Sequence, residues 1–159
     1  MNEFAGPIRV PIEIDQLRLE SAFGSDAAYL EFVSEAKVYL HQMDSRLVMY
    51  GSFVHGKPRP DSDIDLLLCD YFSFRNVPKK EVIDSPTIVC PDLCGQISYP
   101  ITYADGRIKE YVKRKFERLY RQVKSIQQIT GRRFDLNFCC NFQSWLTTMN
   151  DPYWELARR

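Results

Sequence analysis

Apolar residues recur along this chain in two rhythms, and the switches between them mark its elements. Ile8, Val10, Ile12 and Ile14 alternate beside Pro7 and Pro11, which predicts an extended lead-in, an edge strand at most, followed by a short helical turn over 17–23. From Ser25 the period becomes helical. Tyr29, Phe32, Val33, Ala36, Leu40 and Met43 share one stripe, Ser25 suits an N-cap and Asp26 a first turn, so a helix is expected over about 26–43. Leu47-Val48-Met49-Tyr50 is a short apolar run ending at Gly51, which predicts a buried strand. Gly56, Pro58 and Pro60 forbid a long element over 51–62. Residues 63–69 (DIDLLLC) then predict a second strand, acidic on one face at its start and apolar through its end.

Beyond it, Pro78, Pro86, Pro91, Pro100 and Gly95 interrupt residues 70–105, which read as an insertion or flap with hints of short strands at Val82-Ile83 and Thr87-Ile88-Val89. A second long helix is expected from Ile108, Tyr111, Val112, Leu119, Val123 and Ile126, with Gly131 as its C-cap. Residues 134–138 predict a third strand. Trp145, Leu146, Met149 and Trp154 predict a final short helix packing back. The order helix, strand, turn, strand, insertion, helix, strand, helix predicts an α+β (α/β-like) fold, a small mixed sheet packed against helices, as a single domain over 1–159.

Composition narrows the function classes. With 45% hydrophobic residues and a net charge of +0 the chain is not a disordered one, and no apolar run approaches a bilayer span. The start lacks the basic and apolar stretches of a signal peptide, and five cysteines cannot all pair, so a cytosolic setting is expected. Cys90 with Cys94, and the adjacent Cys139 and Cys140, make a poor zinc set and are read as ordinary thiols. The neutral total hides an asymmetry: residues 107–133 hold ten Lys or Arg against two Glu, offset by an equal acidic excess elsewhere. One positive and one negative surface are expected, as in a protein that handles a polyanion with cations nearby. Lys109, Lys113, Arg114, Arg121 and Lys124 lie away from the apolar stripe and are read as a solvated face rather than an RNA-binding one. Tyr71, Phe72 and Phe74 are read as core, and His55 as a surface turn residue.

The chemistry gathers around residues 51–65 and 135. A strand that ends in Gly51-Ser52 and opens a helical turn offers backbone N–H groups and a hydroxyl to a phosphate. Asp63 and Asp65, two apart on a strand, point the same way and repel unless a cation lies between them; oxygen donors alone suit a hard ion such as Mg²⁺. Asp135, in a strand of its own, is the candidate third carboxylate, since a bare buried charge there needs a partner. Lys57 and Arg59, close to the Gly-Ser turn, are the candidate phosphate contacts.

Tyr50-Gly51-Ser52-Phe53-Val54-His55-Gly56, then Pro60-Asp61-Ser62-Asp63-Ile64-Asp65-Leu66, with Asp135 in a later strand, resembles the signature of the polymerase-β-type nucleotidyltransferase superfamily. Asp135-Leu136-Asn137-Phe138 with Asn141 is also weakly similar to the third-carboxylate strand of tailing poly(A) and poly(U) polymerases. The resemblance implies that Asp63 and Asp65 hold two Mg²⁺ ions (Mn²⁺ as the alternative), with Asp135 sharing one and positioning or deprotonating an attacking hydroxyl. It implies that Gly51 and Ser52 grip the β- and γ-phosphates of an NTP, ATP being the expected one. NMP, expected to be AMP, would pass to a hydroxyl with release of pyrophosphate. Many compact members carry Arg where His55 stands. The acceptor is left open between a protein side chain, an RNA end and a small molecule. Compact members that transfer AMP to a HEPN-type partner protein are the expected context, RNA-tailing and small-molecule transferases the alternatives. A catalytically silent nucleotide- or partner-binding module is the competing class.

Overall fold

Two helices begin in the same way. The Asp15 carboxylate accepts the Arg18 N–H at 3.1 Å and opens α1 (Gln16–Phe23), and the Ser25 hydroxyl accepts the Ala28 N–H at 3.1 Å and opens α2 (Asp26–Lys37). In this computed structural model the described residues are 11–57, 59–70, 99–102, 116–139, 142–149 and 151–159. The further elements are β1 (Arg46–Tyr50), α3 (Ser52–His55), β2 (Ile64–Cys69), β3 (Tyr99–Thr102), α4 (Glu117–Thr130), β4 (Phe134–Cys139), α5 (Phe142–Met149) and β5 (Tyr153–Arg158).

The strands form a five-stranded mixed sheet in the order β3-β4-β2-β1-β5. The pair β2–β4 is parallel; β1–β2, β1–β5 and β3–β4 are antiparallel. Strand alternation gives the sheet two apolar faces. Met49, Leu66, Leu68, Leu136 and Phe138 pack with Phe23, Phe32 and Leu119 of the helices α1, α2 and α4. Val48, Tyr50, Leu67, Cys69 and Cys139 pack with Phe142, Trp145 and Leu146 of α5 on the other. Central strands covered on both sides read as continuous apolar runs, as 66–69 does. The α+β class and the mixed sheet agree with the sequence reading.

Two boundaries differ from it, and the lead-in is as expected. The helix expected to 43 stops at Lys37: Val38, Tyr39 and Leu40 turn back through N–H bonds to Glu35, Ala36 and Lys37, and Met43 is exposed. The tail is one helix and one strand. Trp154 lies on β5, where the run Tyr-Trp-Glu-Leu is paired with β1 after the Asp151-Pro152 break. The lead-in over 11–15 is extended without being a strand; Ile12 donates its N–H to the Tyr153 carbonyl at 3.0 Å, and Ile12 and Ile14 pack on the core. Of the second long helix, α4 is described and ends at Gly131 as expected, its C-cap N–H bonded to the Gln127 carbonyl. Ile108, Tyr111, Val112, Lys109, Lys113 and Arg114 lie outside the described residues, as do Tyr71, Phe72 and Phe74, the pairs 82–83 and 87–89, and Cys90, Cys94 and Cys140. Within the expected flap, 99–102 forms the edge strand β3. Cys69 and Cys139 are buried thiols, and Arg121 and Lys124 are solvated.

Candidate active site

The strands β2 and β4 start at the same end of the sheet, and their register sets Asp65 directly opposite Asp135. Residues opposite one another share a face, and extended backbone returns to that face every second residue. Asp63, one residue ahead of β2, therefore joins Asp65 and Asp135 on the α5 side of the sheet, at its open end. β1 runs the other way and finishes there, with Tyr50 opposite Asp65. β5 begins there, with Tyr153 opposite Tyr50, so Asp151 enters the same end from the loop before it. One layer below the carboxylates, the buried Asn137 amide donates to the Tyr50 hydroxyl at 2.7 Å, and the Tyr50 ring meets Trp145 edge-on with centroids 4.9 Å apart. The Asn137–Tyr50 hydrogen bond gives the acids a polar floor.

Gly51 joins β1 to α3 with φ +83°, and a Cβ there would run into Asp65 Oδ2. The bare Cα is what lets the carboxylate lie against the turn. Beyond it the bonds of α3 begin at Val54 and His55, whose N–H groups reach the Gly51 carbonyl at 3.0 and 3.3 Å. The amides of Ser52 and Phe53 precede that point, and Ser52 is exposed. The other end of α3 is held by Arg18, whose guanidinium donates to the Phe53 and Val54 carbonyls at 3.2 Å each. Arg132 fixes the crossover to β2: it donates to the carbonyls of Arg59 (3.0 Å) and Ser62 (3.3 Å) and lies 5.0 Å from the centre of the Phe53 ring.

Crowding of acids leaves its mark on their protonation. Asp65 is pushed up to about 7, first by burial, then by Asp135, Asp63 and Asp151, with Arg133 opposing. Asp63 is raised as well, by partial burial and by Asp135 and Asp61, again against Arg133. Asp135 is engaged otherwise: Arg133 Nε donates to its Oδ1 at 3.1 Å.

Thus Gly51, Ser52, Asp63, Asp65 and Asp135 come together at one sheet end. Lys57 and Arg59 sit on the exposed crossover between α3 and β2, Arg59 3.6 Å from Asp61, and His55 is exposed on α3. Asp151, Arg132 and Arg133 were missed by sequence reasoning. Asp151 carried a signal in its place before Pro152 and an aromatic strand; the arginines were counted with the basic stretch although they stand directly ahead of β4.

The donor set suits a hard divalent cation: carboxylate oxygens only, two of them on facing residues, with Asp65 raised by burial and by its acidic neighbours. Among the described residues no three acidic, histidine or cysteine side chains already stand in metal-holding geometry, Asp135 being drawn to Arg133. The fit is therefore one of chemistry and register.

The family model described as a nucleotidyltransferase domain matches the chain over residues 29–151. The chain belongs to that family. Neither the curated proteins nor the solved structures hold a match to it. The span assigned to the nucleotidyltransferase domain runs from α2 through Asp151 and contains every carboxylate of the sheet end. As a nucleotidyltransferase the protein is a transferase whose substrate is a nucleoside triphosphate.

Proposed function

We propose that this nucleotidyltransferase moves AMP from ATP to a hydroxyl acceptor and releases pyrophosphate, with catalysis resting on Asp63, Asp65 and Asp135. The observation that carries the reading is the register of β2 against β4, which sets two carboxylates from distant parts of the chain face to face beside a side-chain-free turn. Asp63, Asp65 and Asp135 would hold two Mg²⁺ ions, or Mn²⁺, which when bound supply charge stabilisation at the attacking and leaving oxygens. The residues of the chain do the rest. The Ser52 hydroxyl and the first amides of α3 bind phosphate oxygens, and Gly51 keeps the approach clear. Lys57 and Arg59 add positive charge beside the triphosphate. Asp135 accepts the proton of the attacking hydroxyl as the new bond to the α-phosphorus forms and the bond to the β-phosphate oxygen breaks. The buried Asn137–Tyr50 bond keeps the floor under the acids from shifting.

The test is label transfer from α-³²P-ATP in Mg²⁺ or Mn²⁺, with a HEPN-type protein, RNA bearing a free 3′ hydroxyl and small polyols as separate acceptor arms. Asp63→Asn and Asp65→Asn are each expected to lower pyrophosphate release by about 10²-fold or more while the fold is kept. Equal release from wild type and the double variant would leave a silent nucleotide-binding module as the correct reading.

A further inference from the structure

Two neighbouring arginines stand at the entrance of β4, and they are held in different ways. Arg132 is a fixture, bonded to the carbonyls of Arg59 and Ser62 and laid over Phe53. Arg133 has its main chain fixed, since its carbonyl accepts the Ile64 N–H at 2.9 Å at the start of the parallel ladder. Its guanidinium, 43% exposed, reaches Asp135, itself 20% exposed, through Nε at 3.1 Å. Residues 133 and 135 are two apart in extended backbone, so both side chains lie on the side of the sheet where Asp65 faces Asp135.

We infer that Arg133 is the resident counter-ion of the carboxylate mouth: its guanidinium occupies Asp135 until a divalent cation displaces it, and so sets the affinity for that cation. The inference rests on the nucleotidyltransferase reading of the site and deepens it. Two carboxylates directly opposite one another cannot both stay bare and charged at low cost. Asp135 faces Asp65 across the ladder and is relieved by holding Arg133; that contact is lost when a divalent ion takes the oxygen lone pairs. An ion pair this exposed is weak and opens readily, which a counter-ion that must leave requires and a structural strut does not. Once displaced, the guanidinium remains tethered at the ladder's start, on the side from which a triphosphate over Gly51-Ser52 would present its charge. An arginine is suited to bind it there through paired N–H donors.

The experiment titrates Mn²⁺ into the intact protein without nucleotide, reading free Mn²⁺ by electron paramagnetic resonance. Arg133→Gln is expected to bind Mn²⁺ roughly three- to tenfold more tightly than wild type, as removal of a competing ion pair dictates. Arg59→Gln, which removes the same charge from the neighbouring crossover without touching Asp135, is expected to change affinity by less than about twofold. Asp63→Asn with Asp65→Asn is expected to abolish binding. An Arg133→Gln affinity equal to that of wild type, or a gain matched by Arg59→Gln, overturns the counter-ion role while leaving the site in place. Undiminished Mn²⁺ binding by the aspartate double variant overturns the site reading and the counter-ion role together. An Arg133→Gln protein that binds more tightly and also binds ATP less tightly supports both halves of the inference.

Discussion

At position 51 the backbone takes φ +83° and the Cα faces Asp65 so closely that a methyl group would run into the carboxylate. Two separate costs follow from Gly51→Ala: strain in a backbone region that side chains avoid, and displacement of Asp65 from its place opposite Asp135. Stability is expected to fall by about 2 kcal/mol and turnover by about 10²-fold, because a carboxylate moved by an ångström no longer meets its partners. The two costs separate in a double-mutant cycle read by urea unfolding: in an Asp65→Gly background the clash is gone, and Gly51→Ala should cost only the backbone share, about 1 kcal/mol. An unchanged cost would mean that the contact with Asp65 is immaterial. Gly51, Ser52, Asp63 and Asp65 were legible because they lie within fifteen positions of one another and their spacing alone constrains where they point. Arg133 and Asp151 were not, since a charge one or two residues ahead of a strand gains meaning only when the register of distant strands is known.

The elements show why a hydrophobic stripe can overrun its helix. Leu40 and Met43 continue the period of α2, yet the chain turns after Lys37 because the end of β2 claims it. Asp70, fully buried just past β2, accepts the His41 N–H at 2.7 Å, lies 2.8 Å from His41 Nδ1 and accepts the Ser45 hydroxyl. One carboxylate thereby fastens the α2–β1 connection to the strand that carries Asp65. Removing it strands those donors and is expected to cost about 3 kcal/mol. Asp70→Ala should accordingly lower the urea midpoint sharply, and Ser45→Ala by about a third as much, while turnover per folded molecule stays at the wild-type level since the latch sits at the far end of β2. A midpoint unmoved by Asp70→Ala would show that the network is ornamental. Nothing in the local sequence around Asp70 announces this contact. The strand β5 was lost for a related reason: Trp145, Leu146, Met149 and Trp154 fit a helical spacing well enough to hide the break at Asp151-Pro152. The strands β1, β2 and β4, by contrast, were read to within a residue or so, because their apolar runs are covered on both faces and need no partner to be recognised.

Across the whole molecule the charges cancel, yet five aspartates, at 61, 63, 65, 135 and 151, act together at one end of the sheet with Arg133 as the cation opposing them at both Asp63 and Asp65. Folding therefore brings together groups that the unfolded chain keeps apart, and the proton uptake that results has a definite sign. Between the ordinary value of 3.8 and the folded value of about 7, native Asp65 holds a proton that the unfolded chain has released. Stability is then fully present below the lower value and declines as pH rises through the upper one, because the native state binds more protons across that window. Asp63, raised by the same neighbours, adds in the same direction. In chelator-treated protein the loss from pH 5 to pH 8 should be on the order of 2 kcal/mol, discounted for the solvent that reaches the site. The measurement is urea unfolding as a function of pH for wild type and Asp65→Asn. The difference between them isolates the site from the rest of the titrating surface: wild type should lose stability relative to the variant as pH rises, and saturating Mn²⁺ at pH 8 should restore it to wild type alone, since a ligand of the folded state stabilises by mass action. Parallel pH profiles for the two proteins would mean that the acids are not coupled at this sheet end, and the carboxylate mouth would then have no electrostatic reason to bind a cation.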